Sequence, residues 1–311
     1  MLRAVGFDAE LLFAGQDTTC YPAFSQPMRE IPQIEFYRHP LVAVKLRDGI
    51  CYLNEGDQYS ELGSSELDGA PALTLKGRPV TIELDEPLRN RSHHAWTIDL
   101  DVSGAARITV SNRFFGTQAG TFRKQYREML PEERRRHHLE LVSKIARAAE
   151  PASALITETE GYPCLRTYTV TAARYATLEG RTLTLLIPEV AGVLFPLRAD
   201  SRVNPLFLGM RDRSDLTCEI LLPPGYTRLP VLPESKHWIL PNGLGTLDYS
   251  VKHITRADGR VQISITRALV RQSAELPAEL YPALLEYNRR LAHPATRTLV
   301  AERPTNLYPT P

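Results

Sequence analysis

Residues 92–110 alternate between apolar and polar side chains, and this alternation restricts the fold more than any other feature of the chain. The apolar members of the pattern are Trp96, Ile98, Leu100, Val102, Ile108 and Val110. A period of two is typical of an antiparallel strand that buries one face and exposes the other. With Ser103-Gly104 as the turn, the stretch predicts a hairpin whose apolar side chains all point into one core.

Strand patterns recur through the rest of the chain. The further predicted strands are residues 165–172, 182–187, 217–222, 245–254, 261–270 and 296–301. Two stretches, TYTVTAARYATLEGRTLTL and DYSVKHITRADGRVQISI, each place a Gly-Arg turn between two strands. They predict two hairpins of one design, one in each of two sheets.

Two segments instead have helical spacing. The first starts at Pro131, with acidic residues in its first turn, and ends before Pro151; the second covers residues 278–291. Their predicted inward-facing residues are Leu139, Val142, Ile145, Ala146 and Ala149 in the first, and Leu280, Leu284, Tyr287 and Leu291 in the second. We therefore predict a mainly β protein in which residues 85–311 form a β-sandwich region with two helices, either as one body or as sub-domains 85–195 and 196–311.

The sequence pattern of residues 1–84 predicts a smaller α+β unit. Gly6 follows what resembles the last turn of a helix, residues 8–14 read as a strand, and residues 37–54 form a hairpin around Asp48-Gly49. Residues 64–84 contain proline, glycine and short apolar pieces, which indicates an irregular connection between the two units.

The composition excludes several classes of function. Thirty-seven basic residues against thirty-six acidic ones leave no net field to attract nucleic acid. The four cysteines, Cys20, Cys51, Cys164 and Cys218, form no CxxC pair, and no nucleotide-binding or metalloprotease motif occurs. We therefore expect no cofactor and no metal. No apolar run reaches the length of a membrane span, and the first residues do not read as a signal peptide, so the compartment stays open.

The hairpin contains the pair that is of most chemical interest, His39 and Asn54. A cysteine-dependent site needs a thiolate, an imidazole base and a third group that fixes the imidazole tautomer. With a two-residue turn at Asp48-Gly49, Asn54 pairs with Ala43 and lies on the same strand face as His39. This register leaves His39 and Asn54 roughly 13 Å apart, at ~3.4 Å per residue, so contact between them requires a register shift, twist or bulge.

Several motifs together resemble a transglutaminase-like domain of the bacterial type that carries flanking β-domains. The motifs are Leu2-Arg3-Ala4-Val5-Gly6-Phe7, His39 at a strand start, Tyr52-Leu53-Asn54, Gly69-Ala70-Pro71-Ala72-Leu73, Pro196-Leu197-Arg198, Asn204-Pro205-Leu206, Leu222-Pro223-Pro224-Gly225-Tyr226 and residues 277–290. The resemblance covers nearly the whole chain. It implies Cys-dependent chemistry on amides of proteins or peptides, with His39 as base and Asn54 as orienter, and it implies that relatives are often exported.

Two departures from the family pattern bear on activity. The family cysteine lies on a helix roughly three turns before the position of Gly6, and no residue of this sequence occupies that place. Asn54 and Glu55-Gly56 stand where the family has aspartate and Pro-Thr. Asparagine can hold an imidazole tautomer but lacks the charge that stabilises an imidazolium. We therefore expect a catalytically incompetent remnant; the alternative is a non-enzymatic β-sandwich binding or scaffolding module.

Other candidate residues have ordinary explanations that we favour. Cys20 lies in the loop after the first strand, away from the nucleophile's place. His93-His94 could ligate a metal but has no partner at a characteristic spacing. His237-Trp238 is typical of packing, and the cluster of residues 134–138, RRRHH, is typical of a solvated helix face. A phosphate or nucleic-acid role for that cluster is the less favoured alternative.

Overall fold

The computed structural model describes residues 2–15, 30, 34–47, 49–54, 57–146, 148–187, 195, 197, 200–208, 211–272 and 274–304. Within them lie twenty strands and three α-helices, so the predicted mainly β class is confirmed. The strands are β1 (Asp8–Ala14), β2 (His39–Lys45), β3 (Ile50–Leu53), β4 (Pro71–Thr74), β5 (Pro79–Thr81), β6 (Arg91–Leu100), β7 (Ala106–Phe115), β8 (Ala149–Pro151), β9 (Ile156–Glu158), β10 (Cys164–Ala172), β11 (Thr177–Glu179), β12 (Thr182–Leu186), β13 (Leu206–Leu208), β14 (Asp212–Leu221), β15 (Arg228–Val231), β16 (Lys236–Leu240), β17 (Gly245–Thr255), β18 (Val261–Arg271), β19 (Ala274–Leu276) and β20 (Thr298–Glu302). The α-helices are α1 (Thr117–Glu128), α2 (Pro131–Ile145) and α3 (Tyr281–Ala292).

The first five strands form one sheet, in the order β3-β2-β1-β4-β5. The turn before β1 closes as predicted: Gly6 has φ of 90°, its N–H donates to the carbonyl of Arg3, and the N–H of Phe7 donates to that of Leu2. These two bonds are the Schellman pattern. The predicted irregular connection over residues 64–84 is wrong, because β4 pairs with β1 and β5 pairs with β4.

The large sheet has nine strands, eight of them in the order β16-β17-β18-β14-β6-β7-β10-β8, with β9 also paired to β10. A four-stranded sheet, β11-β12-β20-β15, supplies the other layer, and β13 pairs separately with β19. One core cluster joins the two layers, with Ile98, Ile108 and Ile263 of the large sheet and Leu183 and Leu299 of the small one all inaccessible to solvent. Residues 85–304 therefore contain a sandwich. The second Gly-Arg hairpin, β17-β18, forms as predicted in the large sheet. The first differs from the prediction: its turn joins the short strand β11 to β12 in the small sheet, whereas residues 164–172 form β10 of the large sheet.

The alternation over residues 92–110 faces the core as predicted, except at its turn. Trp96, Ile98 and Leu100 are buried, whereas Val102 is exposed because the turn begins at Asp101. Strands from 85–195 and 196–311 share one sheet, since β6 pairs in parallel with β14. The domain division itself stays a prediction.

The helices depart from the prediction in phase and number. Helix α2 ends at Ile145, and residues 149–151 pair with β10 as β8. Leu139 and Leu280 are exposed, while Leu141 and Tyr281 are buried in their place. The segment Ala278–Leu280 before α3 is a 3-10 turn, whose tighter winding rotates the buried face of this segment away from the one predicted for a continuous α-helix. Helix α1 was not predicted, although Ala119, Phe122 and Tyr126 mark its buried face.

Candidate functional site

The hairpin of β2 and β3 sets the separation of His39 and Asn54. Val42 pairs with Leu53 and Ala43 with Tyr52, so the predicted pairing of Ala43 with Asn54 is wrong. The connecting loop is longer than two residues, and the N–H of Leu46 donates to the carbonyl of Gly49 at 2.9 Å. Continued by one residue, this register places Asn54 opposite Leu41, two positions from His39 on the same face. The separation along the strands falls to about 7 Å, at ~3.4 Å per residue.

Both side chains lie beside a buried layer. His39 pairs with Ala14, which is inaccessible to solvent, and is itself half-buried. Asn54 Oδ1 is buried and accepts no hydrogen bond from any described residue. Such an oxygen costs roughly 1–3 kcal/mol while it lacks a donor. An imidazole N–H is a donor of the type that this oxygen could accept from, and His39 is two positions away on the same face in the continued register.

The described cysteines do not supply a nucleophile at this place. Within the described part of the chain, Cys51, Cys164 and Cys218 form no disulfide. Burial, and then the charge of Asp85, raise the pKa of Cys51, and burial raises the pKa of Cys164. Because a reactive cysteine needs a lowered pKa, both thiols are poor nucleophiles near neutral pH. Cys51 pairs with Val44 and so points to the face opposite that of His39. Cys20, Asp48 and Glu55-Gly56 lie outside the described residues.

The candidate metal ligands His93 and His94 lie on opposite faces of the large sheet. His93 and His94 are adjacent in β6, so their side chains point to opposite faces and cannot chelate one ion together. His93 Nε2 lies 3.3 Å from Thr217 Oγ1. Burial, followed by the charge of Arg113, lowers the pKa of His93. Among the described residues, no group of three potential metal ligands occurs.

His237-Trp238 is a packing feature at the edge of the large sheet. His237 Nδ1 lies 2.5 Å from Asp248 Oδ1 across β16 and β17. Trp238 packs against both the sandwich core and the cluster beneath α3.

The cluster of residues 134–138 is only partly solvated. Arg135 and Arg136 are exposed, as predicted for the whole cluster. The other three face inward: Arg134 lies over the Tyr126 ring, His137 Nε2 is 2.9 Å from Tyr126 Oη, and His138 meets Tyr168 edge-on. Burial lowers the pKa of both His137 and His138, and for His137 the charge of Arg166 adds to this. The cluster therefore contributes to an interior surface.

Of this cluster, His137 also lines a groove at one end of the sandwich, which we call the sandwich groove. It lies between the core face of β6, β7 and β10, the helix α2, and the strands β11 and β12, and it has a volume of about 830 Å³. Its lining includes His94, Trp96, Asn112, His137, Lys144, Arg166, Tyr168, Thr184 and Arg297. A volume of this size lies within the range of small-molecule sites.

The sequence carried an overlooked signal for the groove. His94 pairs with Asn112, and Asn112 pairs with Arg166, so the three form a row across adjacent strands. They occupy the inward-facing positions next to Trp96 and Val110, where the alternation calls for apolar residues. Polar side chains at core positions are a stronger sign of function than exposed apolar ones.

No family model and no curated protein matches the chain. A solved structure described as a putative protease from Parabacteroides distasonis ATCC 8503 matches with a TM-score of 0.48 and 11% identity, over 97% of this chain and 41% of that chain. The chain thus spans about two fifths of that protein's length. A likeness of this extent carries no argument about fold or activity. No helix in the described part of the chain is long and apolar enough to cross a bilayer.

Proposed function

We propose that residues 1–84 are the β-rich part of a transglutaminase-like unit, and that His39 and Asn54 are its base and orienter. The observation that supports this is the register of β2 and β3, which brings Asn54 to within two positions of His39 on one face. The buried Oδ1 of Asn54, which has no hydrogen-bond partner among the described residues, is the acceptor that would fix the imidazole tautomer. Residues 85–311 are the accessory β-sandwich region.

The reaction of such a unit is acyl transfer from a protein or peptide amide. A cysteine thiolate attacks the amide carbonyl, the leaving amine takes a proton from the imidazolium of His39, and water or a second amine then releases the acyl group. The described thiols do not fit the nucleophile's role: burial raises the pKa of Cys51 and of Cys164, and Cys218 is buried in the sandwich core. We therefore propose that this chain alone has no acyl-transfer activity.

The deciding experiment begins with the in-frame codons upstream of Met1. If they encode a cysteine-bearing apolar helix, the longer chain should transfer an acyl group from a glutamine peptide to an amine. His39→Ala should lower kcat by about 10⁴-fold or more, and Asn54→Ala by less, because the orienter acts only through the base. If His39→Ala left kcat unchanged, the assignment of His39 as the base would be ruled out.

Thiol labelling tests the same assignment on this chain. Iodoacetamide, an electrophile that carries an amide, should modify Cys20 at the same rate in the wild type and in His39→Gln. Cys164 serves as the internal control, because it is buried and its pKa is raised. Labelling of Cys20 that depends on His39 would show instead that the chain carries its own nucleophile.

A second candidate function is non-enzymatic binding through the β-sandwich. The specific observation that favours it is the sandwich groove, which opens between the two sheets and carries polar side chains at core positions. Upstream codons that encode no helix, together with ligand binding by this chain, would favour the second candidate over the first.

A further inference from the structure

Three cationic side chains, Lys144, Arg166 and Arg297, line the sandwich groove, and no aspartate or glutamate among the described residues lines it. His94 and His137 also line it, but burial lowers the pKa of His137, so the permanent charge comes from the lysine and the two arginines. The chain as a whole has nearly equal numbers of basic and acidic residues, so this segregation is not a consequence of composition. A cleft lined by one sign of charge with low-dielectric walls concentrates ions of the opposite sign.

Arg166 is held in place by neutral partners. With the Asn112 amide oriented to satisfy its neighbours, Asn112 accepts a hydrogen bond from Arg166 Nη2 at 2.6 Å and donates one to His94 Nδ1 at 3.1 Å. Arg166 Nη1 lies 3.5 Å from Tyr126 Oη, and the guanidinium stacks 5.6 Å from the centre of the Phe114 ring. Within the described part of the chain, no carboxylate neutralises Arg166, so its orientation is fixed while its charge is uncompensated.

Arg297 has an unused donor. Its Nε is buried and has no hydrogen-bond partner among the described residues. Its backbone is fixed from both sides, because its N–H donates to the carbonyl of Pro294 and its carbonyl accepts from Ile187 at 2.8 Å. A buried, unpaired donor on a charged group is unfavourable, and an anionic acceptor in the groove would satisfy it.

Apolar and aromatic side chains lie beside these cations in the groove. Trp96 and Tyr168 are on the same sheet face as Arg166, with 5% and 3% of their surfaces exposed, and Leu185 of the small sheet also lines the groove. Such a surface binds a flat or aliphatic body, and guanidinium groups bind carboxylate or phosphate oxygens in pairs.

We propose that the sandwich groove binds a small organic anion, a carboxylate or phosphate carried on an apolar or aromatic body. Arg166 and Arg297 bind the anionic group, Lys144 adds charge at the entrance, and Trp96 and Tyr168 contact the body. This inference rests on the second candidate function, binding through the sandwich, and names its class of ligand.

The test uses three probes with one ring system: 1-naphthyl phosphate, 1-naphthoate and the neutral 1-naphthalenemethanol. Calorimetric titration of the full chain should give binding of at least one anionic probe about tenfold or more tighter than that of the neutral probe, because hydrogen bonds to charged groups are the stronger ones. The two anionic probes separate phosphate from carboxylate recognition. Inorganic phosphate alone should compete weakly, since it lacks the body.

Variants locate the site. Arg297→Met should weaken the anionic probes about tenfold and leave the neutral probe unchanged. Lys144→Gln should act in the same direction with less effect; because Lys144 is exposed, it is available even where Arg297→Met fails to fold. Arg135→Gln and Arg136→Gln, on the solvated side of the same helix, are the matched controls and should change neither affinity.

The outcomes distinguish recognition of the anionic group from binding in the groove as such. Equal binding of anionic and neutral probes would overturn the anion assignment and leave groove binding standing. No binding of any probe would overturn the groove as a site, and with it the second candidate function. Weakening by the control variants equal to that by Lys144→Gln would show general surface charge instead of a built site.

Discussion

Arg123 of α1 and Glu61 join that helix to the segment between β3 and β4, with Nη2 of Arg123 donating to Oε2 of Glu61 at 3.0 Å. The same guanidinium donates to the carbonyls of Tyr59 at 2.5 Å and Thr159 at 2.8 Å. Arg123 is only 7% exposed. One buried side chain therefore satisfies acceptors from two loops that are about a hundred residues apart in sequence.

Arg123→Met should destabilise the protein by about 3 kcal/mol, because removal of one partner leaves the others buried and unpaired. The check is the free energy of unfolding from urea denaturation, followed by fluorescence. Arg127→Met on the same helix is the matched control: its bond to Glu160 is exposed, and pairs of that kind contribute ~0–1 kcal/mol. Equal losses for the two variants would contradict a joining role for Arg123.

Gly245→Ala should be among the most damaging single-methyl additions to the sandwich. A Cβ at this position would lie 1.8 Å from the carbonyl oxygen of Val270, where backbone must move, and the φ of 133° is itself unfavourable for alanine. We expect a loss of more than about 3 kcal/mol, at or beyond the upper end of overpacking costs. The measurement is the midpoint of thermal unfolding.

Gly259→Ala provides the comparison for that experiment. Gly259 has a φ of 76°, but no atom of the described residues lies within 4 Å of the position that an alanine methyl would occupy. Its cost should therefore come from backbone conformation alone, about 1–2 kcal/mol. If the thermal unfolding midpoint of Gly245→Ala were no lower than that of Gly259→Ala, the backbone at Val270 would be able to move away from the added methyl without loss of stability.

The strands were predictable because their period is carried by consecutive residues. β1 matches its predicted bounds, and the core-facing positions Trp96, Ile98 and Ile108 follow from the alternation alone. Strand pairing across a loop is a different matter. The shift that moves Asn54 opposite Leu41 depends on the conformation of the loop between β2 and β3, which no local pattern specifies.

The groove could not be predicted because its parts come from distant segments. Arg166, Lys144 and Arg297 meet only after β12 and β20 pack over the large sheet. Helix α1 was missed for a related reason: its polar positions include Arg123, which is buried by contacts with Tyr59 and Thr159 that lie far away in sequence. The half-buried state of His137 likewise depends on Tyr126 of another helix.

Acidification should weaken the fold through its half-buried histidines. Burial lowers the pKa of His93, His137 and His138 below that of a free imidazole, so the folded state holds fewer protons than the unfolded one in this range. Their contribution to stability is fully present above the unfolded pKa of about 6.5 and is lost as the pH falls through the lower folded values.

The measurement is urea denaturation at pH 7.5 and pH 5.5. We expect a lower free energy of unfolding at pH 5.5, and a smaller difference between the two pH values in His138→Phe, because Nε2 of His138 is buried without a partner among the described residues and a phenyl ring keeps the contact with Tyr168. His253→Gln, at an exposed position in β17, is the control and should keep the wild-type difference. A wild-type difference that survives in His138→Phe and vanishes in His253→Gln would assign the pH dependence to surface histidines instead.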